Sequence, residues 1–377
     1  MAAITGVGVI CPLGAGFPEV SGALIDGESA WTGSGGPARV LVDPTASHDT
    51  PKTYLDRASA LALAAAALAR RQAGWSRSGS TPGIAVGTAY GCPDSMLKFW
   101  ESVELKGPRL ANSIYFTHSY PNTPASIEAI EHDLAGPHFT FCQGMASGGL
   151  AAAAAVDAIR RGRAARMMTG GFEALAPDDD FPSEAPPSLF FPTSRPWPGE
   201  GAVMLTLENE AEAPLGRIVG TGASSFLAPI TSSRDGRFTP GAPSEEDVRA
   251  AISRSMMAAL NDAGRSPSEA DLMVLSACGR PLLDRCEAQA VQALCAQATA
   301  TTVSQRIGCA PGAAAFYGIL AALIALREEW IVETGCPVGP DAARINLAIE
   351  PIERPVSLAL VNAIDDRGAS VTLALTP

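Results

Sequence analysis

A segment of small and apolar residues at positions 136–174 constrains the fold of this chain more than any other stretch. Its β-rich start at residues 138–141 turns through small residues into an alanine-rich run, and a second apolar run closes on Gly170 and Gly171. This pattern predicts a strand, a tight elbow, a buried helix and a second strand. Helix amides and the helix dipole favour an anion at such an elbow, which in this chain carries Met145.

Strands and helices alternate along the rest of the chain. Residues 55–73 and 248–263 have the composition of helices, residues 81–91 that of a strand, and the same rhythm repeats in the second part of the sequence. A chain of 377 residues with 47% hydrophobic content can bury a large core, so we expect two domains or two fused halves of α/β type. The apolar run at 316–326 is shorter than a bilayer span and predicts a buried helix.

Charge and composition narrow the possible functions. The net charge of −12 argues against a nucleic-acid partner, because no basic stripe is present to neutralise phosphates. The N-terminal residues predict a strand and no signal peptide, so a cytoplasmic location is expected. The eight cysteines show no metal-ligand spacing and the histidines no paired carboxylate at i+4, so neither a metal site nor another cofactor is expected.

A dense basic cluster follows the alanine-rich run, with arginines at 160, 161, 163 and 166. Favourable charge at a helix C-terminus accounts for the cluster. An acidic partner protein would also be attracted to it.

The 136–174 segment resembles the active-site segment of the β-ketoacyl synthases of the thiolase superfamily. The shared landmarks are a Gly-Pro pair at 136–137, the alanine-rich helix, the basic turn and the GGFEA strand, and the N-terminal ITGVGVICPLG string matches as well. The resemblance implies duplicated thiolase-like halves, residues 1–215 and 216–377, that form one five-layered αβαβα body.

The residues that carry condensing chemistry in that family are absent at the matching positions. Met145 stands at the nucleophile position, Ser276 and Cys309 at the two histidine positions, and Ser304 at the lysine position. The four histidines are His48, His118, His132 and His138, so the second half holds none. Condensation needs a thiolate and imidazole donors, so the sequence predicts that the chain is not an enzyme on its own.

The family's gate loop is also replaced. In the family this loop borders the acyl site and lends an amide to the oxyanion hole. The equivalent residues here are Asp365, Asp366, Arg367 and Gly368. A pair of carboxylates at a developing oxyanion would oppose the charge stabilisation that condensation needs.

A preserved fold without its catalytic residues resembles the chain length factor, or KSβ, of type II polyketide synthases. The resemblance implies a heterodimer with an active ketosynthase (KSα), an acyl tunnel shaped at the shared boundary, and an acyl carrier protein as further partner. Subunits of this family pair through strands beside the elbow, so the interface candidates are His138, Phe139, Thr140, Phe141 and Cys142. The methionine at the elbow and the short loops favour a reducing, polyene-type pathway such as that of the aryl polyenes.

Two alternatives stay open. The chain could be a thiolase-fold acyltransferase or cyclase with a relocated active site that uses Cys142, Cys278 or Cys309. It could also be a homodimeric scaffold that binds carrier protein without a ketosynthase.

Overall fold

The computed structural model describes residues 1–30, 37–75, 81–176, 198–227, 230–232, 238–241, 243–277, 279–335 and 345–377. The α-helices of this part of the chain are α1 Phe17–Ile25, α2 Arg57–Gln72, α3 Pro93–Lys106, α4 Ser113–His118, α5 Thr123–His132, α6 Ser147–Arg160, α7 Glu245–Ala263, α8 Pro281–Leu294, α9 Ser304–Ile307 and α10 Ala314–Glu328. The strands are β1 Ala2–Cys11, β2 Gly14–Ala15, β3 Gly83–Gly87, β4 His138–Phe141, β5 Arg166–Glu173, β6 Gly201–Glu208, β7 Gly216–Ser225, β8 Ile230–Ser232, β9 Phe238–Pro240, β10 Leu272–Val274, β11 Thr299–Thr301, β12 Trp330–Ile331, β13 Ile352–Glu353, β14 Ala359–Ile364 and β15 Ala369–Thr376.

The two halves of the chain repeat one strand order. In the first half the order is β4-β3-β5-β6-β1, and in the second it is β11-β10-β14-β15-β7. Matching pairs run in matching directions: β3 is parallel to β4 and β5, as β10 is to β11 and β14, while the remaining pairs are antiparallel. Antiparallel pairing of β1 with β7 joins the halves into one large sheet. The predicted duplication is therefore confirmed.

Five layers follow from where the helices pack. Helix α2 covers β1 and β6 on one outer side, and α7 covers β7 and β15 on the other. Helices α6 and α10 lie between, and each contacts strands of both halves. The predicted αβαβα arrangement of a thiolase-like fold is confirmed.

Glycines allow the outer helices to approach the sheet closely. A Cβ at Gly8 of β1 would lie 1.8 Å from the carbonyl oxygen of Ala65 in α2. In the second half, a Cβ at Gly222 of β7 would lie 2.1 Å from the carbonyl oxygen of Ser255 in α7. Both contacts are shorter than any real Cβ tolerates, so the repeated architecture depends on a glycine at the same place in each half.

The apolar run at 316–326 lies within α10, as predicted, and the helix is longer than the run. The segment Pro311–Glu328 has the length and hydropathy of a membrane span, but 78% of it is buried inside the protein. It is a core helix of the middle layer. The predicted boundary between halves at 215/216 stays a prediction; it lies where β7 begins, at Gly216.

Candidate functional site

The elbow between β4 and α6 is a short turn of 3-10 helix, Gly144–Ala146. Gly144 has a φ of 50°, which favours glycine. Ser147 fixes the turn, because its Oγ accepts from the amide of Gln143 at 2.7 Å and donates to the carbonyl of Thr88 at 3.0 Å. Small residues are needed here because the chain reverses direction against the sheet.

Met145 is buried, with 8% of its surface exposed. It belongs to an apolar cluster of the second half that includes Phe226, Leu283 and Ile364. The side chain at the nucleophile position therefore contributes to packing between the halves. Its thioether cannot ionise to attack an acyl group.

A side-chain carboxylate is hydrogen-bonded to the backbone amide of this elbow. Oδ2 of Asp365 accepts a hydrogen bond from the backbone N–H of Met145 at 3.0 Å. The fit is tight, because a Cβ on Gly144 would lie 1.7 Å from the same oxygen. Asp365 is 5% exposed, and burial raises its pKa above the ordinary value. An acyl oxyanion would have to displace this group to reach the amide of Met145.

The rest of the gate loop holds Asp365 in place. The amide of Arg367 donates to Oδ1 of Asp365 at 2.8 Å, and the Asp365 amide donates to the carbonyl of Ala369 at 2.9 Å. Asp366 pairs with Arg280 at 3.1 Å. Gly368 has a φ of 106°, and a Cβ there would lie 2.2 Å from the carbonyl oxygen of Phe226. The loop is a tight turn between β14 and β15, closed over the elbow.

Ser276, at the first histidine position, supports the same loop. Its Oγ accepts from the amide of Ile364 at 3.0 Å, directly before Asp365. Its own amide donates to the buried carboxylate of Glu287 at 2.9 Å, which also accepts from Asn362. Burial raises the pKa of Glu287. The structure thus brings Ser276, Asp365 and the Met145 amide together in one hydrogen-bonded support.

Ser304 is the first residue of the short helix α9, and Cys309 follows Gly308 at its C-terminal end. Ser304 is 7% exposed and its carbonyl accepts from the amide of Gly308. The carbonyl of Cys309 accepts from the amide of Gly199 at 2.9 Å. Burial raises the pKa of the Cys309 thiol to about 12, so the thiol stays protonated at neutral pH.

Glu173 at the end of β5 is a site residue that the sequence reasoning missed. Its carboxylate accepts from the amides of Ala89, Tyr90 and Gly312 and from the hydroxyl of Thr88. Burial raises its pKa to about 7 despite these bonds. The available signal was an acid between Phe172 and Ala174, at the end of a strand whose other charged residue, Arg166, lies at its opposite end.

Strand β4 is at one end of the sheet and pairs with β3 alone among the described strands. The rings of Phe139 and Phe141 lie on one face with centroids 6.4 Å apart, and both are half-buried. His138 is exposed, and so is Cys142, which directly follows the strand. Desolvation by the surrounding protein and the charge of Glu173 raise the pKa of the Cys142 thiol.

An apolar surface continues from this edge. The amide of Thr88 donates to the carbonyl of Phe141, and α3 begins at Pro93 after the turn that follows Thr88. Rings of Phe99, Trp100, Phe116 and Tyr120 contact one another along α3 and α4. The exposed large apolar side chains here are Tyr90, Met96, Leu97, Trp100, Leu105, Leu110, Ile114, Phe116 and Tyr120.

Family models match most of the chain. Residues 2–185 match "Beta-ketoacyl synthase, N-terminal domain" and residues 226–335 match "Beta-ketoacyl synthase, C-terminal domain". The chain is 30% identical over 375 residues to the putative polyketide beta-ketoacyl synthase 2 of Streptomyces halstedii, covering 88% of this chain and 86% of that protein. The chain belongs to the β-ketoacyl synthase family.

Other relatives span nearly the whole chain. Nodulation protein E of Rhizobium sp. (strain N33) is 29% identical and covers 98% of both chains. The tetracenomycin polyketide synthase ketoacyl synthase beta subunit of Streptomyces glaucescens is 29% identical over 96% of this chain and 94% of its own. The chain thus resembles both a nodulation protein and the ketoacyl synthase beta subunit of a polyketide synthase.

Solved structures share the fold. The ishigamide ketosynthase/chain length factor matches with a TM-score of 0.83 and 23% identity over 100% of this chain and 98% of that chain. A complex of the ketosynthase AntDE with the acyl carrier protein AntF matches with a TM-score of 0.80 and 19% identity, covering 100% and 98%. These matches confirm the thiolase-type fold.

Proposed function

We propose that this chain is a non-catalytic chain length factor. In this role it pairs with an active ketosynthase and shapes the acyl tunnel while the chain grows on acyl carrier protein, in a cytoplasmic type II polyketide or polyene pathway. Met145, Ser276, Ser304 and Cys309 are its degenerate catalytic positions. Residues 1–215 and 216–377 are its two domains.

The hydrogen bond between Asp365 and the Met145 amide carries the proposal. An active elbow must leave its amide open for the oxyanion and place a nucleophile beside it. In this chain the amide is bonded to a carboxylate that the polypeptide itself supplies, and the neighbouring side chain is a thioether. The electrostatics of the site therefore oppose acyl transfer.

The β4 edge supports a partner at this end of the sheet. Strand edges with unpaired backbone groups are templates for pairing with another chain. Beside the edge lies the apolar surface of α3 and α4, and contiguous exposed apolar surfaces of this kind mark protein interfaces. The interface residues that we propose are therefore His138, Phe139, Thr140, Phe141 and Cys142, extended by Leu97 and Trp100.

The thiol-dependent alternative receives less support. The thiols of Cys142 and Cys309 have raised pKa values, whereas nucleophilic thiols in enzymes have lowered ones. Cys278 lies outside the described residues. Both described candidates therefore lack the ionised sulfur that acyl transfer requires.

The test is recovery of the chain from its own host by a mild affinity tag, followed by native mass spectrometry. We expect a one-to-one complex with a cysteine-bearing ketosynthase. Phe141→Glu should abolish the complex, because a charge would be buried in the interface. Ile349→Glu is the matched control, since Ile349 is 67% exposed in the second half. A homodimer without a ketosynthase, or condensing activity from the isolated chain, would contradict the proposal.

A further inference from the structure

A surface cleft lies far from the elbow, at the opposite end of α6. Helix α6 has 14 residues, which at 1.5 Å per residue separates its ends by about 20 Å. The cleft has a volume of about 520 Å³ and opens where β1, β7 and β15 meet the ends of α6 and α7. Its lining residues are Met1, Arg160, Arg217, Val219, Asp262, Ala263, Arg265 and Thr376.

Three guanidinium groups and one carboxylate face this cleft, in a chain with a net charge of −12. The carboxylate of Asp262 is already bonded, to Nη1 of Arg160 at 2.5 Å and to the amide of Thr221 at 2.8 Å. Burial alone would raise its pKa, but these bonds hold the pKa of Asp262 below its ordinary value. Asp262 therefore acts as a fixed partner that orients Arg160 and leaves the cleft cationic.

The other two arginines, Arg217 and Arg265, have side-chain N–H groups that a ligand could bind. Arg217 makes one hydrogen bond in the described structure, from Nη2 to the carbonyl of Ala211 at 3.3 Å. Arg265 pairs with Glu269 at 2.9 Å, but both side chains are nearly half exposed, and such surface pairs are weak and exchange readily. Planar guanidinium forks match the geometry of phosphate oxygens.

The cleft also has an apolar wall. Val219 and Ala263 line it beside the arginines. A ligand with a phosphate at one end and an organic group at the other could place the phosphate on the arginines and the organic group on the apolar wall.

We propose that this cleft binds a small phosphate ester, with Arg217 as the main phosphate ligand, Arg160 and Arg265 beside it, and the organic group on Val219 and Ala263. This binding site is separate from the elbow and does not depend on the proposed role of the chain.

The experiment is isothermal titration of the untagged chain with inorganic phosphate and with phenyl phosphate at constant ionic strength. We expect saturable one-to-one binding, tighter for phenyl phosphate. Arg217→Gln should weaken it about tenfold, because a charged fork is lost. Arg161→Gln is the matched control: it removes an equal charge from the same end of α6, but its partner is Asp157, outside the cleft. The control should change the affinity less than about twofold.

Two outcomes would overturn the assignment. The first is the absence of saturable binding by either probe. The second is an equal loss of affinity in Arg217→Gln and Arg161→Gln, which would show that the probes are held by general charge attraction and not by the cleft. Equal affinities for phosphate and phenyl phosphate would overturn the ester specificity. If Arg217→Gln fails to fold, Arg217→Lys takes its place, with an expected affinity below those of the wild type and the Arg161→Gln control, because lysine keeps the charge but lacks the fork.

Discussion

The two halves of the molecule each contain an elbow, and each half closes the elbow of the other with a carboxylate. In the first half, the turn Gly144–Ala146 leads into α6, and the Met145 amide donates to Asp365 at the end of β14. In the second half, the turn Pro311–Ala313 leads into α10, and the Gly312 amide donates to Glu173 at the end of β5. Strands β5 and β14 occupy equivalent places in the repeated order.

The two carboxylates differ in the number of hydrogen-bond donors that they accept from. Glu173 is fully buried in its surroundings and accepts from four donors, whereas Asp365 accepts from the amides of Met145 and Arg367. The second-half elbow is thus closed by a structural acid. The first-half elbow, where the family places its nucleophile, likewise donates a backbone hydrogen bond to a buried carboxylate. A carboxylate from the other half therefore stabilises both elbows of this fold.

The largest effect is expected from Glu173→Leu. Three backbone amides and a hydroxyl would lose their acceptor in a buried site, and each orphaned donor is costly. We expect a loss of about 4 kcal/mol or more in the free energy of unfolding, measured by urea denaturation. Glu173→Gln keeps one acceptor oxygen and should lose clearly less. An equal loss in both variants would show that the carboxyl oxygens are not the supporting feature.

The pH dependence of stability should report the raised pKa of Glu173. The pKa of Glu173 is raised from 4.5 to about 7, so its contribution is fully present below about pH 4.5 and is lost as pH rises through about 7. A shift of this size corresponds to at most about 3.5 kcal/mol. We expect the stability of the wild type relative to Glu173→Gln to fall over this range in urea denaturation. Glu128→Gln is a control, because the pKa of Glu128 is raised from 4.5 to about 8, so its loss begins in the same range but continues to about pH 8. A flat difference between wild type and Glu173→Gln would contradict this assignment.

A smaller effect is expected from Gly144→Ala. The new Cβ would meet Oδ2 of Asp365, and the positive φ adds strain, so we expect a loss of about 2 to 3 kcal/mol. Adding Asp365→Gly removes the clash and should recover part of the loss. A double-mutant cycle measures this coupling, and strict additivity would mean that the contact with Asp365 is not what limits the site.

The smallest effect concerns reactivity at the elbow. In Met145→Cys, the carboxylate of Asp365 should raise the pKa of the new thiol and slow its alkylation by iodoacetamide. Adding Asp365→Asn should speed alkylation about threefold to tenfold. Peptide mapping by mass spectrometry supplies an internal control, since the exposed Cys142 should react equally in both variants. A slower or unchanged rate at position 145 would contradict the electrostatic role of Asp365.

Local patterns predicted the fold well. Alanine content and periodicity predicted a helix at 55–73, and α2 spans Arg57–Gln72. Ser244 and the acids after it have the pattern of a helix start, and Ser244 caps α7 by accepting from the Asp247 amide at 3.1 Å. These features depend on neighbours a few residues apart, so a sequence shows them directly.

The site was predicted only in part. That the second half holds no histidine follows from composition alone, and so does the absence of a thiol at Met145. The role of Glu173 was missed because its donors come from residues 88–90 and 312, far apart in the chain. The gate carboxylates were predicted to oppose an oxyanion, but which of them faces the elbow was not visible.

The sequence by itself determined which residue types stand at the positions that match the family's catalytic residues, and the order of strands and helices along the chain, because residue identity and short-range periodicity are written in the chain. What only the tertiary structure decided is that Asp365, 220 residues from Met145, is the group that bonds its amide, while Asp366 turns outward to Arg280. That choice depends on the packing of one half against the other. Long-range packing brings backbone donors and buried carboxylates together only after both halves have folded.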